Sequence, residues 1–202
     1  MKRVALVLAL FLLIATSAAT AYFFLAKDGN PNSAHQIGDV LDSLHGVEVY
    51  YNGRVGHVSE RHLAPDGYNI GLKYQCVEFV KRYYYQHLKH KMPDSYGHAK
   101  DFFDKRLPSG TLNQQRNLIQ YSNGSGRLPA VGDLLVYSST IVNPYGHVAI
   151  VSAVNHADAQ VEIIQQNPGP FAASRERYGL QQQTDGWLIE NDRILGWLHK
   201  AD

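Results

Sequence analysis

The hydrophobic period of this chain changes partway along, and that change limits the folds that it can adopt. Over residues 76–90 the apolar side chains recur at helical spacing, which predicts a helix with one stripe against a core. The second half is β-rich, in the stretches 133–137, 146–154, 161–166 and 194–199. Helices followed by consecutive strands predict an α+β fold with an antiparallel sheet rather than alternating βαβ units.

Smaller elements surround these. An alternating stretch at residues 46–51 predicts a strand that leads into a turn at Asn52-Gly53. Residues 53–71 are rich in Gly, His, Asn, Asp and Pro, which predicts a long loop. Pro93 is expected to end the helix that begins at Cys76, and residues 97–107 are expected to form a second, short helix.

The N-terminus has the pattern of an export signal. Lys2 and Arg3 precede an apolar stretch that runs almost unbroken to Ala26. Its length suits a transmembrane anchor, whereas the small residues of 19–21 (Ala-Thr-Ala) suit cleavage by a signal peptidase. Residues 1–26 are therefore interpreted as a signal peptide or membrane anchor and 27–40 as a polar linker. Both readings place a domain of residues 41–202 outside the cytoplasm, periplasmic or otherwise extracytoplasmic.

Charge and cysteine content exclude several classes of protein. Nineteen basic and eighteen acidic side chains nearly cancel, so no strong field favours nucleic acid. Cys76 is the single cysteine, which excludes an internal disulfide and thiolate-rich zinc sites. The ten histidines are scattered and no HExxH occurs. We expect no metal and no cofactor.

Two residues are candidates for nucleophilic catalysis. Cys76 stands where the long loop becomes a helix, and unpaired N–H groups there are expected to lower the pKa of the thiol and to stabilise an oxyanion. His147 follows Gly146 at the start of a strand, where glycine permits close backbone approach, and imidazole is suited to act as the base. Gln165 and Asn167 share one face of the next predicted strand, and a side-chain carbonyl there could orient the imidazole.

The same residues resemble a known family. The run Tyr-Gln-Cys-Val-Glu-Phe-Val-Lys-Arg at 74–82 and the run Gly-His-Val-Ala-Ile-Val at 146–151 are similar to the nucleophile and histidine motifs of the CHAP family (cysteine, histidine-dependent amidohydrolases and peptidases). Asp133 after Val131-Gly132 fits the family's Gly-Asp strand entry. Leu195-Gly196-Trp197 and the Gln-Cys-Val-Glu-Phe string resemble the amidase domain of glutathionylspermidine synthetase/amidase most closely. The resemblance covers roughly residues 40–200.

The resemblance implies a papain-like domain, with N-terminal helices packed on the antiparallel sheet. It implies Cys76 as nucleophile, His147 as general base, and amide hydrolysis through a thioester acyl-enzyme. The family has a glutamate where this chain has Gln165, so the third member is Gln165 by position, with Asn167 as the substitute. Gln75 is interpreted as an oxyanion donor or an ordinary helix-start residue.

The substrate and one charged pair complete the predictions. Export favours peptide or peptidoglycan substrates, and the resemblance suggests a glutathione–polyamine conjugate as the alternative. A catalytically weak wall-binding module and acyl transfer to an amine stay open. Glu78 and Arg82, four residues apart, are expected to pair on the helix surface.

Overall fold

The computed structural model describes residues 2–25 and 30–201, so Met1, residues 26–29 within the predicted leader and linker, and Asp202 lie outside the described residues. Helix α1 spans Lys2–Leu25, and its side chains from Leu6 to Thr20 are exposed. Within the described ranges, no helix combines the length and apolarity that crossing a bilayer requires.

The remaining elements follow residue 39. Their bounds are β1 Val40–Leu44, β2 Val47–Tyr50, β3 Arg61–Leu63, β4 Asn69–Leu72, α2 Cys76–Gln86, a 3-10 turn Ala99–Phe102, β5 Thr111–Asn113, β6 Leu118–Ser122, β7 Leu134–Tyr137, β8 His147–Asn155, β9 Gln160–Ile164, β10 Arg175–Gln183, β11 Gly186–Ile189 and β12 Ile194–His199.

One sheet organises the domain. Eight strands lie in the order β11-β10-β9-β8-β7-β12-β6-β5, and each pairing in it is antiparallel. The hairpins β1–β2 and β3–β4 lie outside this sheet and are also antiparallel. Because α2 precedes the sheet and contacts β8, the predicted α+β, papain-like class is confirmed, with more strand than expected.

Both faces of the central strands are buried, and the packing on one face positions helix α2. Alternate side chains of β7 and β8 face opposite sides of the sheet. Leu134, Val136 and Val148 belong to the core that includes α2, whereas Leu135 and Ala149 belong to a second core around Trp197. Burying each large apolar side chain contributes about 1.5–3 kcal/mol, so this packing holds α2 firmly against the sheet.

The predicted helices are longer than the observed ones. Helix α2 begins at Cys76 as expected but ends at Gln86, well before Pro93. The chain has already left the helix at Lys89, whose φ of 52° lies in the left-handed region. Residues 97–107 form a single 3-10 turn instead of a helix. Its side chains Ala99 and Phe102 are buried in the core, so the apolar spacing marks packing and not helix length.

The predicted long loop at 53–71 is wrong in part. Strands β3 and β4 form a hairpin there, joined by a turn at Pro65-Asp66. Gly71 lies in β4 with a φ of 143°, and a Cβ at this position would meet the Glu78 Cα at 3.0 Å. Glycine therefore lets β4 lie directly against α2.

Candidate active site

Cys76 is the first residue of α2. Gln75 before it is extended, with φ −77° and ψ 159°, and forms no side-chain cap. The helix begins with the bond from the Phe79 N–H to the Gln75 carbonyl, 3.2 Å long. The first turn therefore has N–H groups without a side-chain cap, as the sequence predicted.

The predicted effect on the thiol is wrong in sign. Cys76 is 9% exposed, and burial raises the pKa of its thiol to about 11. The nearby backbone N–H groups of Val148, Val77 and Cys76 lower the pKa of the thiol, but by less than burial raises it. Removing the thiolate from water destabilises it by more than these N–H groups stabilise it. The resting thiol is therefore protonated at neutral pH.

His147 begins β8 opposite Tyr137 of β7. Gly146 precedes it with a φ of 76°, and a Cβ there would lie 2.7 Å from the Tyr137 carbonyl oxygen and 3.0 Å from the Lys100 Cβ. A side chain would collide with this backbone. The prediction that Gly146 permits close backbone approach is therefore confirmed.

The imidazole of His147 is held by Gln165. His147 Nε2 and Gln165 Oε1 are 2.9 Å apart, so the neutral ring donates from Nε2 and leaves Nδ1 as the acceptor. The Gln165 amide is itself oriented, because its Nε2 donates to the Ala173 carbonyl at 3.3 Å. Burial lowers the pKa of His147 to about 4, although the bond to Gln165 opposes the change.

The backbone of β8 connects these two residues. Val148, directly after His147, packs with Cys76 in the same core, and its backbone N–H is close enough to the thiol to lower its pKa. The thiol therefore lies against the strand that carries the imidazole, although the two residues are far apart in the chain. The pair consists of a neutral thiol and a neutral imidazole, and Gln165 adds no charge to it.

Asn167 lies outside this arrangement. It follows the end of β9 and has a φ of 57°, so the alternation that predicted a shared face with Gln165 does not extend to it. Its Nδ2 donates to the Val55 carbonyl and to Gln75 Oε1, both at 3.0 Å. Its Oδ1 is buried and has no hydrogen-bond partner among the described residues. Of the two predicted orienters, the structure brings Gln165 to the imidazole.

Gln75 holds the loop before it. Its Nε2 donates to the carbonyls of Val55 and His57, and its Oε1 accepts from Asn167. Both amide hydrogens therefore face backbone oxygens in this structure. An oxyanion role for Gln75 requires one of these bonds to open when substrate binds, and it stays a prediction.

Sequence reasoning missed a buried polar cluster next to the site. The predicted pairing of Glu78 with Arg82 is confirmed, at 2.7 Å. Its predicted surface position is wrong, because the two side chains are 1% and 4% exposed and lie in the interior beside Gln166 and His62. The signal for burial was present, because these charges occur on a helix whose other residues are mostly apolar. Gln166, adjacent to a proposed orienter, was given no role.

A metal site and a pocket are the remaining features to consider near the thiol. Among residues 2–25 and 30–201, no group of three or more His, Cys, Asp and Glu side chains is placed to hold a metal ion. A pocket of about 360 Å³ lies along one side of α2, from Glu78 to Gln86, with His62 and Lys73 also in its lining. Cys76 and His147 do not line it, so this pocket is separate from the thiol and imidazole.

Comparison with known proteins agrees with the geometry. The CHAP domain family model matches residues 66–167, just over half of the chain. Trypanothione synthetase of Crithidia fasciculata is 29% identical over 149 residues, covering 72% of this chain and 22% of the relative. Glutathionylspermidine synthase of the same organism is 31% identical over 141 residues, covering 64% and 19%. The chain thus spans about a fifth of the length of these curated relatives.

The matched segment begins before α2 and ends after β9, so it includes Cys76, His147 and Gln165. Helix α2, the first residue of β8 and the amide directly after β9 thus all lie within the matched segment. The chain belongs to the CHAP domain family.

Proposed function

We propose that the protein hydrolyses an amide bond with Cys76 as nucleophile and His147 as general base. One observation carries the proposal: the Cys76 thiol lies close to the backbone N–H of Val148, while the ring of the neighbouring residue, His147, is held at 2.9 Å by Gln165. A thiol, a base and an orienter in this order are the parts that nucleophilic acyl chemistry needs. Family membership supports the amidase and peptidase class.

The first half of the reaction forms a thioester. His147 Nδ1 accepts the thiol proton while the sulfur bonds to the substrate carbonyl carbon. The C–N bond then breaks, the imidazolium returns the proton to the leaving nitrogen, and the amine departs. The sulfur keeps the acyl group as a thioester.

The second half releases the acid. Water attacks the thioester carbon as His147 takes a proton from it, the C–S bond breaks, and the proton returns to the sulfur. An amine in place of water gives acyl transfer with the same residues. Hydrolysis releases a free acid, whereas acyl transfer forms a new amide, so the product distinguishes the two reactions.

The resting charge state shapes this mechanism. The pKa of Cys76 is raised to about 11 and the pKa of His147 is lowered to about 4, both by burial. The proton therefore moves from thiol to imidazole during attack and not before substrate binds. Gln165 supports this order, because its uncharged amide orients the ring without stabilising imidazolium by charge.

For the substrate we favour cell-wall peptide bonds. The basic start and apolar run of residues 1–26 support export, as a cleaved leader or as an anchor, and peptidoglycan lies outside the cytoplasm. Cell fractionation and mass measurement of the mature N-terminus test this location. Recovery of the full-length chain in the soluble cytoplasmic fraction contradicts it.

A glutathione–polyamine amide is the second candidate. It is supported by the similarity to proteins named trypanothione synthetase and glutathionylspermidine synthase. This chain corresponds to about a fifth of their length, so the similarity bears on one part of those proteins. The bond would again be an amide, cleaved by the same thiol.

The test is amine release from purified peptidoglycan and from glutathionylspermidine, with mass detection of the products. We expect new amines from one substrate with the wild-type protein and none with Cys76→Ser or His147→Gln. His90→Gln is the matched control, because His90 is also buried but bonds the Arg116 carbonyl. It should retain activity.

The outcomes separate the alternatives. Amine release that survives in Cys76→Ser refutes thiol catalysis. Binding to peptidoglycan without release from any substrate supports a wall-binding module instead. Release from glutathionylspermidine alone transfers the assignment to the second candidate.

A further inference from the structure

The amide of Gln166 has all its hydrogen-bonding groups occupied. Gln166 is 0% exposed. Its Oε1 accepts from the Tyr50 N–H at 2.8 Å and from Arg82 at 3.3 Å. Its Nε2 donates to the Gln75 carbonyl and to Glu78 Oε2, both at 2.9 Å. Two backbone partners, one donor and one acceptor, therefore require an amide at this position.

Glu78 completes the cluster. It accepts from His62 Nδ1 at 2.8 Å, from Arg82 Nε at 2.7 Å and from Gln166. Burial alone would raise the pKa of this carboxyl, but hydrogen bonds and the Arg82 charge hold it below its usual value. Glu78 is therefore a buried anion with every neighbour arranged to donate to it. We call Gln166, Glu78 and Arg82 the clasp.

The clasp joins the two elements that carry the proposed chemistry. Gln166 directly follows Gln165, which holds His147. Its donor Nε2 reaches the carbonyl of Gln75, which directly precedes Cys76. Glu78 and Arg82 lie within the helix that Cys76 begins. The buried amide of Gln166 thus links the residue before the thiol to the residue that holds the imidazole.

We propose that Gln166 is a positioning residue that sets the distance between the Cys76 thiol and the His147 imidazole. The proposal rests on the proposed function and deepens it. Gln166 touches no reacting atom; it acts through Gln75 on one side and Gln165 on the other. An amide is required, because a carboxylate could not donate to the Gln75 carbonyl and would face Glu78.

The test compares Gln166→Glu with Gln120→Glu. Gln120 is also 0% exposed, with an amide bonded to Asp104 and Asn113, but it lies on β6, in a different part of the sheet. Each variant is assayed for kcat, KM and the pH profile of Cys76 alkylation below its melting temperature. For Gln166→Glu we expect kcat to fall about 100-fold at nearly constant KM, the loss typical of a misplacement of about 1 Å. In the wild-type background we expect His147→Gln to slow alkylation of Cys76, because it removes the base that accepts the thiol proton. In the Gln166→Glu background we expect His147→Gln to cause no further slowing.

A second variant keeps the proposal testable if Gln166→Glu does not fold. Glu78→Gln with Gln166→Glu restores a single carboxylate in the clasp, although the Gln75 carbonyl still lacks a donor. We expect this double variant to fold and to regain part of the lost kcat. If Gln166→Glu alone does not fold, the double variant is compared with Glu78→Gln, and the proposal requires a lower kcat in the double variant.

Different results would refute the proposed function and the positioning role of Gln166. If wild-type protein releases no amine and His147→Gln leaves alkylation unchanged, the proposed function is wrong. The clasp is overturned if Gln166→Glu and Gln120→Glu change the alkylation profile equally, a comparison that needs no substrate. It is also overturned if Gln166→Glu raises KM and leaves kcat intact.

Discussion

Replacing Gln165 by glutamate tests whether burial and a neutral partner keep the base uncharged. The structure holds Gln165 Oε1 at 2.9 Å from His147 Nε2, so Gln165→Glu places a carboxylate at hydrogen-bond distance from the ring. An opposite charge this close raises the pKa of a histidine by about 1–3. From the value of about 4 in the wild-type protein, we take the lower part of that range and expect a pKa of about 5 to 6.

The same substitution should also make the Cys76 thiol more reactive. A stabilised imidazolium favours the thiolate–imidazolium pair, so alkylation of Cys76 by iodoacetamide at pH 7 should quicken by about tenfold or more, one decade for each pKa unit. The His147 ring is followed by NMR titration of its Cε1–H signal, and alkylation by mass spectrometry. Both measurements are made without substrate.

Gln160→Glu is the matched control. It makes the same substitution at an exposed position in β9, the strand directly before Gln165, and should leave both measurements unchanged. The reasoning is refuted if His147 titrates in Gln165→Glu as it does in the wild-type protein. Equal changes in the two variants would also refute it, since a general charge effect would then explain the result.

Three further predictions follow from the site. Alkylation of wild-type Cys76 should still accelerate between pH 8 and 9, because a thiol with a pKa of about 11 is mostly protonated there, whereas assistance by neutral His147 does not change with pH in this range; a rate that is level from pH 8 to 9 contradicts this. The pKa of His147 is lowered to about 4, so its neutral form contributes stability above pH 6.5 that is lost as pH falls towards 4. Urea unfolding should show that the free energy of unfolding falls by about 2 kcal/mol over this range, a figure already reduced for partial exposure of the ring. The His147→Gln variant should not show this fall. Gly146→Ala should lower the free energy of unfolding by about 1–3 kcal/mol, because its φ of 76° and the 2.7 Å approach to Tyr137 exclude a Cβ; unchanged stability contradicts the assigned packing.

Residues with strong local signals were predicted well from the sequence. Strand β12 spans Ile194–His199 as expected, α2 begins at Cys76, and β8 begins within one residue of the prediction. Each has an apolar pattern set by packing on a core, or a glycine required by close contact. These signals are local, so a sequence displays them without knowledge of the fold.

The rest depends on contacts between distant residues. Strand β10 was missed because most of its side chains are exposed; it is held by pairing with β9 and β11 and by ion pairs such as Arg175 with Asp42. The sign of the Cys76 pKa was missed because burial by β8 outweighs the local effect of the helix start. The role of Gln166 required knowing that Tyr50 and Gln75 meet the same amide.

The protonated, enclosed state of Cys76 has a consequence for chemical durability. The thiolate, rather than the neutral thiol, attacks peroxides and disulfides. With a pKa of about 11, about one molecule in ten thousand is ionised at pH 7, against a few per cent for an ordinary cysteine. Oxidative inactivation should therefore be slow even where no reductant is supplied.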